Sequence, residues 1–161
     1  MATATYLQMV SADELLALER TPSGINTLDQ PVCASTHFAA SLNFFLTGTA
    51  YPDGAVNTLG AALSGSRSVE APTLENGAFY VTETAAIPDV VRALTSVDRD
   101  ALRASVASAD LASLVEDEEL YDLELLDDAE VPDAIVSELD ALLAFYVQVD
   151  TAGGAVVSYT T

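Results

Sequence analysis

VPDAIVSELDALLAFYVQVDTAGGAVVSY, residues 131–159, sets a long helix directly against a strand. Pro132 sits where a helix tolerates it, because the first amides of a helix have no intrahelical acceptor. Ile135, Leu139, Leu142, Leu143 and Tyr146 recur at helical spacing and give the segment one apolar face. Gly153-Gly154 stops the helix, and Ala155-Val156-Val157-Ser158-Tyr159 has the β-branched bulk of a strand.

Working outward, residues 3–10 read as a first strand, carried by Tyr6, Leu7, Met9 and Val10. Ser11-Ala12-Asp13-Glu14 is a capping box, in which Ser11 and Glu14 satisfy each other's free amides. It opens a short helix to Arg20 with Leu15 and Leu18 inward, closed by Thr21-Pro22-Ser23-Gly24. A second helix is predicted to start at Ser35 or Thr36 and to stop at Gly48, with Phe38, Leu42, Phe45 and Leu46 on one stripe. Tyr51-Pro52-Asp53-Gly54 reads as a turn with proline second.

Residues 59–64 suit a short strand or a compact loop, and Gly77 leads into the strand Ala78-Phe79-Tyr80-Val81. Thr84 is expected to cap a helix carrying Ile87, Val90, Val91 and Leu94, with Pro88 at its fourth position. Asp98 caps a segment holding Leu102, and Leu111, Leu114 and Val115 suggest a further turn or two of helix. Residues 116–128 carry eight carboxylates and no base, interleaved with leucines, and read as an extended or irregular stretch docked by those leucines. No repeat, linker or shift of composition divides the 161 residues, so one domain spanning 1–161 is expected.

Half of the residues are hydrophobic, enough for a sizeable core. The five basic residues, Arg20, Arg67, Arg92, Arg99 and Arg103, stand against 25 acids, for a formal net charge of -20. Binding to nucleic acid or to an anionic membrane is disfavoured, since phosphate contacts need cations. The acidity suits a hydrated surface in high salt, a basic partner, or solubility. Lysine is absent and aspartate exceeds glutamate, as halophilic adaptation or a high-GC genome would produce. Cys33 is the only cysteine, so a reducing compartment and a cytoplasmic location are expected. The first ten residues lack the basic and apolar regions of a signal peptide. Residues 30–52 are uncharged and long enough to span a bilayer, yet Ser35, Thr36, His37, Ser41 and Asn43 interrupt their apolarity, which argues for a buried helix.

Several blocks together resemble the YfbM-like family of bacterial proteins, whose members have no established function. They are residues 42–49 (Leu42-Asn43-Phe44-Phe45-Leu46-Thr47-Gly48-Thr49), the small-residue stretch 59–70, residues 94–103, and Leu143-Ala144-Phe145-Tyr146 followed by a terminal strand. The resemblance runs nearly end to end. It implies an α+β domain with several helices packed on a small, mainly antiparallel sheet, and it transfers no activity. Members of the family often carry histidine where Asn43 stands, and lysine and tryptophan just before it, where this chain has His37 and Ala39. Any chemistry of that helix is therefore altered here.

Cys33 and His37 would share one face if both lay on a helix, and an imidazole beside a thiol is the core of cysteine nucleophilic catalysis. Asp29 or Asp53 would then orient the histidine. The plainer alternative is a small thiol and a histidine near a helix start. One cysteine and one histidine are too few for a zinc site, and the acidic run lacks the alternating ligands and glycine of a calcium loop. No metal and no cofactor are expected. Residues 60–67, with two glycines and Arg67, match neither a P-loop nor a dinucleotide fingerprint and read as a tight turn. Tyr80, Tyr146 and Tyr159 are expected in the core with their hydroxyls at its rim.

The leading expectation is a non-enzymatic, acidic module that binds a basic protein, as an immunity or inhibitor protein does. Its binding face would be Glu116, Asp117, Glu118, Glu119, Asp122, Glu124, Asp127 and Asp128. The alternatives are a small-ligand protein or enzyme with a pocket beside the helix at 35–47, lined by Cys33, His37 and Asn43, and an acidity that serves only solvation in salt.

Overall fold

The computed structural model describes residues 3–27 and 32–161. Five strands form one antiparallel sheet in the order β2-β1-β5-β4-β3. They are β1 (Thr5–Val10), β2 (Cys33–Thr36), β3 (Arg67–Glu70), β4 (Ala78–Thr82) and β5 (Ala155–Thr160). The α-helices among the described residues are α1 (Ala12–Arg20), α2 (Ala39–Thr47), α3 (Thr58–Ser64), α4 (Ile87–Thr95), α5 (Arg99–Ser108), α6 (Leu111–Asp117) and α7 (Val131–Ala152). The fold is α+β, as the family resemblance implied.

Alternation along the strands gives each face of the sheet its own core. Leu7 and Val156 point to one face, where α2, α3, α4, α5 and α7 bury Leu42, Leu63, Leu94, Leu102 and Leu139. Val10, Phe79, Val81, Ala155 and Val157 point to the other, under Leu15 and Leu18 of α1 and Ile25 of the 3-10 turn Pro22–Thr27. The last strand is the central one: β5 pairs with β1 through Thr5↔Thr160 to Val10↔Ala155, and with β4 through Tyr80↔Ser158 to Thr82↔Val156.

Helix α7 follows its sequence pattern closely. Pro132 lies in the first turn, Gly153 ends the helix at φ 70, and Ile135, Leu139, Leu142 and Tyr146 are buried. Val136, Phe145 and Val149 are buried as well, while Leu143 is only half-buried, so the helix is covered on more than one face. The capping box of α1 is present, with Ser11 N donating to Glu14 Oε1 at 3.0 Å and Glu14 N to Ser11 Oγ at 3.2 Å.

Other expectations are corrected. Helix α2 starts at Ala39, because Cys33 to Thr36 pair with β1 (Gln8↔Cys33 to Thr5↔Thr36) and Thr36 Oγ1 then accepts from Phe38 N at 2.9 Å, turning the chain into the helix. Residues 59–64 are helical, nucleated by Asn57, whose side chain accepts from Gly60 N at 3.1 Å. A 3-10 turn takes up Thr84–Ala86, which leaves Pro88 in the first turn of α4 rather than at a fourth position. The turn expected at Tyr51 lies further on: Asp53 Oδ1 accepts from Ala55 N and its carbonyl from Val56 N and Asn57 N. The acidic stretch is partly helical, since α6 extends to Asp117 and a 3-10 turn spans Tyr121–Leu125, with Leu120 and Leu123 buried.

Tyr146, wholly buried in α7, donates its hydroxyl to the Ala62 carbonyl at 2.6 Å, and Thr82 Oγ1 donates to the Ala61 carbonyl at 3.1 Å. Burial raises the Tyr146 pKa well above its ordinary value, an effect only partly opposed by Thr82. The folded protein thus holds a proton that the unfolded chain releases near pH ~10, so stability falls as pH rises beyond that point. Tyr146→Phe is expected to lose about 1–3 kcal/mol at neutral pH, because it orphans a buried carbonyl. The variant's stability should also decline less between pH 9.5 and 11.5 than the parent's. Urea titrations across that range check both effects.

Candidate functional site

The site is built on the first turns of α2. That helix is apolar enough to pack on most sides, and Ser41, Leu42 and Asn43 are fully enclosed. No side chain of its own caps it. The cap comes from 81 residues away: Asp122 Oδ2 accepts from Ser41 N at 3.1 Å and Oδ1 from Ser41 Oγ at 2.5 Å. A carboxylate there satisfies a free amide and faces the positive end of the helix dipole.

Asn43 holds the loop after α2 against α3. Its Nδ2 donates to the Ala50 carbonyl at 3.2 Å and to Ser64 Oγ at 3.3 Å, while its Oδ1 is buried with no partner among the described residues. The loop comes so close that a Cβ on Gly54 would lie 1.7 Å from the Gly65 carbonyl oxygen. Gly65 itself, at φ 64, faces Tyr80 Cβ and the Val81 backbone. Two glycines therefore let the loop, α3 and β4 close into one wall.

Between that wall, α2 and the uncovered end of the sheet lies a cavity of about 500 Å³, lined in part by Asn43, Ser64, Tyr80 and Ser158. A second hollow of about 680 Å³ adjoins it and shares Thr5, Ala39, Ala40, Tyr51, Asn76 and Thr160. Its far side is formed by His37, Glu75, Glu119, Tyr121, Glu124 and Leu125. The two hollows lie side by side, the first rich in hydroxyls and the second acidic.

The predicted residues divide across this surface. Asn43 lines the first hollow and His37 the second. Cys33 lines neither; it is exposed on β2 opposite Gln8, so the helical Cys33–His37 pair does not exist. Asp53 lines the first hollow, and Asp29 lies outside the described residues. Of the eight acidic residues, Glu119, Asp122 and Glu124 line the second hollow, and seven of the eight are exposed. Asp122 is the exception, turned inward as the helix cap. None of the eight forms an ion pair among the described residues, because Arg67, Arg92, Arg99 and Arg103 are engaged by acids elsewhere. Glu119 has φ 57, a left-handed conformation at the end of α6 where glycine is the usual residue. Tyr51 and Ser64, which sequence reasoning did not single out, join the site only through the loop closure.

The family described as a domain of unknown function, DUF1877, matches residues 39–159. The chain belongs to this family. The match opens at the first residue of α2 and runs almost to the end of β5. The crystal structure of YfbM, a protein of unknown function from Escherichia coli, is similar with a TM-score of 0.70 at 19% identity, covering 98% of this chain and 99% of that one. No curated protein sequence matches the chain. Among the described residues, no group of three or more His, Cys, Asp or Glu is placed to hold a metal ion, and no helix is long and apolar enough to cross a membrane.

Asp122→Ala is expected to lose about 1 kcal/mol through the uncapped α2. Asp127→Ala, a change in an exposed and unpaired carboxylate, should stay within about 0.5 kcal/mol of the parent. Chemical denaturation of the two variants side by side checks the difference.

Proposed function

We propose that this DUF1877 chain is a non-enzymatic, cytoplasmic binding module that holds a basic protein against its acidic hollow, in the manner of an immunity or inhibitor protein. One observation carries the reading: Tyr51, Tyr121 and Leu125 are 77%, 60% and 49% exposed and border a hollow whose other walls include Glu119, Asp122 and Glu124. Exposed aromatics within a charged rim are the anatomy of a protein-binding hot spot, where the rings supply contact energy and the charges steer encounter. Solvation in salt alone accounts for the carboxylates but not for tyrosines and a leucine left uncovered among them. Catalysis has less support, since Cys33 stands apart from His37 and from both hollows.

A variant with Glu116, Glu118, Glu124 and Asp127 each changed to Lys keeps the Asp122 cap while cancelling the net charge of the ridge. Capture from lysate with the parent and this variant, at moderate and high salt, tests the proposal. A basic protein retained by the parent at moderate salt, and lost both in high salt and with the variant, is expected. Equal retention by both proteins would sink the idea. Glu119→Gly separates binding from stability: it relieves a left-handed backbone and should gain about 0.5–1 kcal/mol, yet weaken capture of the same partner.

A further inference from the structure

We propose that the first hollow, of about 500 Å³, binds a neutral sugar at a site separate from the acidic ridge. Its floor is a sheet face that starts apolar and turns polar. Leu7 of β1 and Val156 of β5 belong to the helix-side core, and alternation along the two strands carries the same face on through Thr5, Ser158 and Thr160. Ser158 stands opposite Leu7 on one side and Tyr80 on the other, and Tyr80 in turn stands opposite Ser68. All five hydroxyl residues line the hollow. Ser158 carries the inference. It is 3% exposed on the central strand, and its hydroxyl has no hydrogen-bond partner among the described residues. The unpartnered atoms sealed from solvent are Gln8 Oε1 and Asn43 Oδ1, so the Ser158 hydroxyl, which is not sealed, opens on the hollow it lines. A polar group set this deep in a sheet, beside leucine and valine, costs stability unless something arrives to bond it.

The chemistry of the floor selects the ligand. A hydroxyl both donates and accepts, so the occupant that satisfies a set of them does both as well. An ammonium or guanidinium brings donors only, and a phosphate or carboxylate brings acceptors. Charge points the same way. Arg67 alternates to the opposite face of the sheet with Val81, and its guanidinium is held by Glu19 and Glu83. The lining therefore offers no free cation to an anion, which a chain of net charge -20 also repels. Asp53 is the single carboxylate of the lining, exposed and already accepting from Ala55 N, too little to select a cation. Tyr80 and Tyr51 add aromatic faces, whose negative charge suits the C–H side of a pyranose. The volume falls in the range of small-molecule sites.

The test titrates isotope-labelled protein with glucose, galactose, mannose and ribose and follows the amide resonances by NMR. At least one of them is expected to bind with a Kd of about 1 mM or tighter and to shift the amides of Ser158 and Thr160. Glucuronate and glucosamine, which place a negative or a positive charge on the hexose ring, should bind no better. Ser158→Ala removes a hydroxyl that has no partner, so its urea midpoint should match the parent's while affinity for the sugar falls about fivefold to tenfold. Thr160→Val, a shape-preserving change at a half-buried position, should weaken the same sugar to a smaller degree. The four-lysine ridge variant alters no residue of this lining and should bind the sugar as the parent does. Silence from every neutral sugar at about tenfold higher concentration, a tenfold preference for either charged sugar, or unchanged affinity in Ser158→Ala overturns the site. Each of these results leaves the capture experiment untouched, so failure here and failure of the ridge reading are told apart. Methyl glycosides of the sugar that binds then separate two sources, and either result supports the site. Tighter binding of the free sugar assigns it to a small metabolite, and equal or tighter binding of the glycoside to the end of a glycan.

Discussion

One buried hydroxyl decides where the helices stand on the sheet. Tyr146 reaches out of the middle of α7 to the Ala62 carbonyl, and Thr82 reaches from β4 to the Ala61 carbonyl beside it. The last turn of α3 is thereby tied to the longest helix and to an inner strand at once. Such bonds add modest net stability, but a buried carbonyl without a donor is expensive, which makes the arrangement hard to replace. Everything downstream inherits that position. Ser64 is two residues beyond Ala62, so its contact with Asn43 and the closure of the loop on Gly54 follow from where α3 is pinned.

The arginines act as ties between elements and leave the acidic stretch unanswered. Arg67 joins β3 to Glu19 of α1 and to Glu83. Arg99 caps the end of α4 through the Leu94 and Val97 carbonyls and reaches Asp140 of α7, and Arg103 spans from α5 to Asp133. Exposed pairs of this kind each contribute little, typically below about 1 kcal/mol. Their larger effect is one of distribution. With these cations committed elsewhere, the carboxylates between Glu116 and Asp128 repel one another across a surface that Leu120 and Leu123 anchor. Asp122 relieves part of that repulsion by facing the amide end of α2.

Local signals were legible in the sequence and distant pairings were not. The capping box at Ser11, the Asp98 cap, the start of α7 at Val131-Pro132 and its stop at Gly153 depend on residues within a turn of one another, and each is present. Helix α2 was expected too early because Cys33 to Thr36 gain their ladder only from β1, more than twenty residues upstream. Strand β3 raised no expectation for a similar reason: Arg67, Ser68, Val69 and Glu70 alternate poorly and owe their conformation to β4. At the candidate site, Asn43 and the acidic residues were recognisable by type. That Asp122 turns inward and that His37 and Glu119 line the same hollow are matters of tertiary closure, with no local trace.

The central position of β5 bears on how the molecule is made. Strands β1 and β2 can pair early, and so can β3 and β4, but the strand that joins the two pairs is synthesised after all of them. A ribosome must complete Ala155–Thr160 before either half-sheet can cover its inner edge. Until then the nascent chain offers two open strand edges and two unfinished apolar faces, the features through which partly folded chains associate wrongly. The dense negative charge has a second value in that interval, because like-charged chains repel one another at close approach while the last strand is still missing.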